Sequence, residues 1–197
     1  MIQITEDLEQ VSLAIKAGGV VICPTEGVYG LSCDPTCDDA VRRVLALKKR
    51  AQSKGLILVG ESLEQISPYV NWATVTLQDQ VLLKLHWPGP VTFILPMSSL
   101  CSDLVCGEHH SAALRVTAFS PMREMCHQVG GPLISTSANI SGQPSVSEFD
   151  ELNQELLSQV DVALCLPCGG LREPTAIYDT LKQKLLRPSS TFNSPVI

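Results

Sequence analysis

Short apolar runs alternate along the chain with stretches whose apolar positions recur every three or four residues, the pattern of a sheet with helices packed on it. Leu8, Val11, Ala14 and Ile15 make one face of a first helix, predicted to be capped at Thr5 and ended by Gly18-Gly19. Val20-Val21-Ile22-Cys23 read as a buried strand stopped by Pro24, and residues 24–30 as a Gly-punctuated loop. A second helix is predicted over 39–49, a strand over 56–59, a capping box at Ser62 with Gln65, and a helix over 77–86. Pro88-Gly89-Pro90 break that helix ahead of a strand over 91–95. From Ser111 to Thr117 the alternation has period two, with Ala112, Leu114 and Val116 facing one way and Ser111, Ala113, Arg115 and Thr117 the other. Ser120-Pro121 open a helix that Gly130-Gly131 close, since proline suits a first helical position. Leu133-Ile134 lead into a polar loop over 135–139, and Ser147 with Asp150 starts a last helix. Strands over 162–165, 176–178 and 184–186 complete the pattern. Without repeats or Gly/Ser linkers, it predicts one domain over 5–190 and a frayed tail over 191–197.

Composition narrows the class. The 197 residues are 45% hydrophobic and 17% charged, enough to build a core without disulfide staples. Twenty acidic residues against 14 basic ones give a net charge of −6, which argues against sequence-blind nucleic-acid binding over the whole surface. No apolar run approaches the ~20 residues of a membrane span. The opening Met1-Ile2-Gln3-Ile4-Thr5-Glu6-Asp7 is too polar for a signal peptide, so a cytoplasmic location is expected. Of eight cysteines, Cys23, Cys126 and Cys165 fall in apolar runs, where cysteine behaves as a small hydrophobe. Cys165 and Cys168 have zinc spacing, and Cys101 with Cys106 precedes His109 and His110. A single C-x-x-C is weak evidence for zinc, and reduced thiols are the expectation.

Familiar catalytic motifs are missing: there is no phosphate-loop or dinucleotide glycine signature, no G-x-S-x-G, no H-E-x-x-H and no deaminase pattern. Chemistry here would rest on positioning and electrostatics. Lys48-Lys49-Arg50, with Lys54 behind, reads either as a helix C-terminus complementing its dipole or as cations able to hold a triphosphate. Ser135-Thr136-Ser137-Ala138-Asn139 reads either as a self-satisfied polar turn or as a concave acceptor for anions and sugar hydroxyls. Arg115 is either an edge-strand arginine facing water or a clamp for a carboxylate, with Ser111 on its face. The loop carrying Thr25 suits a small ligand equally well as it suits a turn, whereas Trp87-Pro88-Gly89-Pro90 reads as structural.

Together these segments resemble the YrdC family, the threonylcarbamoyl-AMP synthases, in its short bacterial form. The resemblance runs from about Glu6 to Arg187 through six pieces in family order: residues 23–30, 47–50, 54–58, 87–92, 114–116 and 135–139. The family's K-x-R and S-x-N signature falls on Lys48/Arg50 and Ser137/Asn139. The resemblance implies an α/β (α+β) fold, a single twisted mixed β-sheet with flanking helices around a concave positive cavity. It implies a synthase making L-threonylcarbamoyl-AMP and pyrophosphate from L-threonine, bicarbonate or CO2, and ATP with Mg2+. A separate transferase system would then modify the adenosine beside the tRNA anticodon. By motif, Lys48, Arg50, Ser137 and Asn139 would be catalytic, and Lys54, Ser111, Ser145 and Arg187 would join them around ATP. Thr25, Arg115 and Ser135 would hold threonine, and no metal-ligating residue is implied. Ala51 departs from a family proline, Val59 from a histidine of longer members, and Ser189 from a frequent glycine. A YciO-like paralogue with altered or lost activity and a non-catalytic RNA-binding protein are the competing readings.

Overall fold

The computed structural model describes residues 2–193. In chain order its elements are β1 (Gln3–Thr5), α1 (Leu8–Lys16), β2 (Val21–Pro24), β3 (Tyr29–Cys33), α2 (Asp38–Leu47), β4 (Ile57–Gly60), α3 (Leu63–Ile66) and α4 (Leu77–His86). They continue as β5 (Val91–Pro96), α5 (Asp103–Cys106), β6 (Ser111–Val116), α6 (Ser120–Val129), β7 (Leu133–Ser137), α7 (Gln154–Leu157), β8 (Val162–Leu164), β9 (Ala176–Asp179) and β10 (Lys184–Arg187). All ten strands join one mixed sheet in the order β1-β8-β2-β3-β7-β4-β6-β5-β9-β10. This is a single mixed α/β domain.

Alternation across the central strands assigns each sheet face to its own core. Val21, Cys23, Val59 and Leu133 pack with Val11 and Ile15 of α1 and with Met122, Met125 and Cys126 of α6. Their neighbours Ile22, Leu58, Leu114 and Ile134 point into a larger core with α2, α4 and the aromatic group around Phe93. Both faces are covered at the centre, so these strands read as continuous apolar runs.

Several sequence expectations change. Thr5 pairs with Leu164 as the end of a strand, and the cap of α1 is Asp7, whose Oδ1 accepts the Glu9 N–H at 2.9 Å. Part of the predicted 24–30 loop is strand β3, bonded to β2 on one side and β7 on the other. Its Gly30 and Ser32 look like turn residues, yet small side chains fit a central strand with crowded neighbours. The polar 135–139 loop is likewise strand as far as Ser137. At Ser62 no hydroxyl cap forms; Gln65 Oε1 accepts from the Glu61 N–H (3.0 Å) one residue earlier. The helix expected after Ser147 is a single 3-10 turn at Phe149–Glu151. Phe149 packs edge-on against Tyr29, and Asn153 caps the short α7 instead. Within the expected frayed tail, Phe192 is 3% exposed and stacks on His86 and Tyr178; residues 194–197 lie outside the described part.

The cysteines also depart from expectation. Cys101 and Cys106 are joined by a disulfide, because the single turn of α5 brings their Cα atoms to 6.5 Å. The other six are free thiols. No helix among the described residues is long and apolar enough to cross a membrane.

Candidate active site

The helices that cover one sheet face do not cover all of it. Val59 and Leu133 pack with α6, but two residues along β4 and β7 Ile57 and Ser135, with Ala113 beside Ile57 on β6, border open space. The gap is a cavity of about 370 Å³, within the range of small-ligand sites. Its wall includes Ser111, Ala113 and Arg115, the odd-numbered face of β6 that period-two alternation set apart from Ala112 and Leu114. Thr25, Tyr29 and Gly30 close one side, and Thr175, Ile177 and Arg187 close another. Gly27 lets the β2–β3 turn press against the chain near Glu173: a Cβ there would collide with the Glu173 carbonyl oxygen.

Arg115 is 3% exposed and makes an ion pair with Glu26, Nε to Oε1 at 3.0 Å. Its Nη1 donates to the hydroxyls of Thr92 (3.3 Å) and Thr175 (3.2 Å). The open alternative of a water-facing edge arginine is therefore excluded: β6 lies between β4 and β5. Arg50 reaches the cavity from the loop after α2, held by the carbonyls of Gly55 (3.1 Å) and Lys54 (3.2 Å). Arg187, on β10, donates Nε to the Thr175 carbonyl at 2.7 Å. Burial, with the nearby guanidiniums of Arg115 and Arg50, pulls Arg187 down to about 10. Burial also lowers Arg50. With Lys54 and Lys182 these arginines make the cavity strongly positive, and Asp179 is the carboxylate in its wall.

The expected site residues divide. Thr25, Arg50, Lys54, Ser111, Arg115, Ser135, Ser137 and Arg187 all line the cavity. The Thr25 hydroxyl donates to the Val28 carbonyl at 2.7 Å, so its lone pairs, not its proton, are free for a ligand. Lys48, Asn139 and Ser145 are placed outside the lining. α2 ends at Leu47 and Lys49 takes a left-handed φ of 49°, which turns Lys48 inward while Arg50 faces the cavity. Lys48 is 3% exposed, and its Nζ donates to the carbonyls of Ser137 (2.6 Å) and Asn139 (2.9 Å) and to Asn139 Oδ1 (3.1 Å). The Ser137 hydroxyl in turn donates to Asn139 Oδ1. Lys48 therefore ties the end of β7 together behind the wall. Burial, and secondarily Arg50, depress its ammonium to about 8. Ser145 is half-buried beside Val146, whose carbonyl accepts the Tyr29 N–H at 2.8 Å.

Sequence reasoning assigned no role to Glu26, Thr92, Thr175 or Lys182. A buried arginine requires an acid, and Glu26 beside Thr25 was the available signal. Nothing in the pattern distinguishes Thr92, Thr175 or Lys182 from ordinary strand and turn residues.

A family model described as telomere recombination, spanning Sua5, YciO and YrdC, matches residues 13–189. The chain belongs to the Sua5/YciO/YrdC family. Among its relatives, the threonylcarbamoyl-AMP synthase of Stenotrophomonas maltophilia is 41% identical over 180 residues, 91% of this chain and 97% of that one. The enzyme of the same name from Vibrio vulnificus is 38% identical over 181 residues, 92% of this chain and 97% of its own. Of solved structures, P. abyssi Sua5 complexed with L-threonine superposes with a TM-score of 0.87 at 25% identity, over 96% of this chain and 57% of that one. E. coli YciO shares the fold, with a TM-score of 0.83 at 22% identity over 96% of this chain and 97% of its own. Val59, one of the departures that the resemblance pointed to, is fully buried in the α1/α6 core and is not part of the cavity lining.

Proposed function

We propose that this chain is an L-threonylcarbamoyladenylate synthase, a nucleotidyltransferase that joins L-threonine, bicarbonate or CO2, and ATP. The observation that carries the reading is one cavity that gathers a rigidly held guanidinium with a free Nη2 at Arg115 and, among the described residues, three cations without acid partners at Arg50, Lys54 and Arg187. Relatives named threonylcarbamoyl-AMP synthase at 38–41% identity support the same activity, and the L-threonine complex of P. abyssi Sua5 supports threonine as a substrate.

The chemistry needs no protein nucleophile. The threonine amine adds to CO2 with loss of a proton, giving a carbamate. A carbamate oxygen attacks the α-phosphorus of ATP, the bond to the β-phosphate oxygen breaks, and pyrophosphate leaves with the electron pair. Arg115 would hold the threonine carboxylate through Nη2, with Thr25 and Ser135 beside it. Arg50, Lys54 and Arg187 would neutralise charge building on the leaving pyrophosphate, while Ser111 and Ser137 bond the nucleotide. Holding carbamate and phosphorus in line is the larger part of the task. Lys48 and Asn139 would contribute by fixing Ser137 rather than by touching substrate.

The donor set does not form a protein cage for Mg2+. Among the described residues no three His, Cys, Asp or Glu side chains cluster for a metal, and Asp179 is already paired with Lys182 at 3.3 Å. Mg2+ would therefore enter as the counter-ion of ATP, held by phosphate oxygens. The product is a labile mixed anhydride in a soluble cytoplasmic setting, to be passed to a transferase acting on tRNA.

Purified protein with ATP, Mg2+, bicarbonate and L-threonine is expected to release pyrophosphate and form the threonylcarbamoyl adenylate. Omitting threonine should abolish the release. Nucleotide turnover indifferent to threonine, or RNA retention without turnover, would contradict the proposal.

A further inference from the structure

Glu26 is a carboxylate set against a site built of cations, on the turn between β2 and β3 and 7% exposed. Its Oε1 accepts from Arg115 Nε at 3.0 Å and from the Thr117 hydroxyl at 2.6 Å. Its Oε2 is buried without any donor among the described residues. A buried carboxylate satisfied on one oxygen alone is unfavourable by itself, because desolvation is offset on one side only. The reason for its presence lies in what it does to Arg115.

With Nε turned to Glu26 and Nη1 to Thr92 and Thr175, the guanidinium plane is anchored on two edges. Nη2 is left without an acceptor among the described residues, and Arg115 is part of the cavity wall. The positive charge behind that free edge is cancelled by Glu26. The other cations differ. Ion pairs among the described residues involve Arg42, Arg43, Arg115, His127 and Lys182, and none involves Arg50, Lys54 or Arg187. Backbone carbonyls hold Arg50 and Arg187, and a carbonyl orients a guanidinium without neutralising it. Thr175 fixes both arginines, through its hydroxyl for Arg115 and its carbonyl for Arg187, so the two differ in charge balance rather than in rigidity.

We infer that Glu26 is a positioning and specificity-determining residue, which aims Arg115 at a single carboxylate and withholds its charge from polyphosphate, so that phosphates settle on Arg50, Lys54 and Arg187. The inference rests on the proposed assignment of Arg115 to threonine. A polyphosphate responds to summed charge, whereas one carboxylate responds to a directed N–H donor, here on Nη2. Without Glu26, Arg115 becomes a further full cation, and phosphate is drawn onto the guanidinium meant for threonine.

The test is calorimetry on Glu26→Gln with three probes: L-threonine, a non-hydrolysable ATP analogue and inorganic pyrophosphate. Threonine affinity is expected to fall about ten-fold and that of the analogue to change less than about two-fold. Pyrophosphate should compete with threonine in the variant and not in the wild type. That competition is a signature a merely structural role would not produce. Unchanged threonine affinity, equal loss of both substrates, or absence of competition would overturn the inference. If Glu26→Gln does not fold, Thr117→Val removes one donor to Glu26 at almost constant shape. It should weaken threonine alone, and an equal or absent effect on the two substrates would overturn the inference. A wild-type protein that binds nucleotide but not threonine would instead sink the proposed reaction itself.

Discussion

The cations of the cavity fall into two groups that the fold presents by different means. In one, Arg115 projects from a central strand, is almost fully buried, and has its charge offset by Glu26. In the other, Arg50 and Lys54 come from a short loop after α2 and Arg187, which shares Thr175 with Arg115, from the edge strand β10; these are more exposed and among the described residues carry no acid partner. A central strand gives precise direction, which a single planar carboxylate rewards. Three cations from a loop and an edge strand give summed charge, which a flexible polyphosphate rewards. Lys48 belongs to neither group: two residues from Arg50, it spends its donors on Ser137 and Asn139.

The sharpest break of this contrast is Arg115→Ala. It leaves Glu26 buried and unpaired, so stability should fall by roughly 3–5 kcal/mol in chemical denaturation. Threonine binding should weaken about 100-fold while nucleotide binding survives. Arg50→Ala should do the opposite, lowering affinity for an ATP analogue about ten-fold with threonine within about two-fold. Its stability cost should be about 1 kcal/mol, since the lost bonds are to partly exposed carbonyls. Calorimetry on both variants decides the matter, and loss of the same ligand in both would erase the distinction between the two groups.

A smaller effect isolates Lys48. Its ammonium titrates near 8 in the folded protein against an ordinary 10.5, so between those values the unfolded chain binds more protons than the native one. Native stability therefore rises with pH across that window relative to Lys48→Met, by something on the order of 2 kcal/mol. Groups that titrate alike in both proteins cancel in the difference. Denaturation midpoints measured at several pH values from 7 to 10.5 check it, and a flat difference would mean that Lys48 is solvated.

How much of this was legible in the sequence follows from where each signal was local. Period-two alternation in β6 placed Ser111, Ala113 and Arg115 on one face without any tertiary information, because one face of that strand meets the cavity and the other the core. The helix over 77–86 was legible to the residue, with the Pro88-Gly89-Pro90 stop just beyond its end. β3 and the end of β7 were not, since Gly30, Ser32, Ser135 and Ser137 carry turn chemistry and only their paired neighbours make them strands. The Lys48-Lys49-Arg50 run announced cations at a helix end, but which one faces the cavity depends on the left-handed turn at Lys49. The Glu26–Arg115 pair joins positions 89 residues apart, a distance no local pattern spans. The Cys101–Cys106 disulfide escaped because the intervening single helical turn carries no strong apolar period.

The most direct measurement is a crystal structure with L-threonine and a non-hydrolysable ATP analogue bound together. The account predicts the threonine carboxylate on Arg115 Nη2 and the β- and γ-phosphates on Arg50, Lys54 and Arg187, with Lys48 still closed on Ser137 and Asn139. Phosphate oxygens on Arg115, or the threonine carboxylate on Arg50 and Lys54, would contradict it.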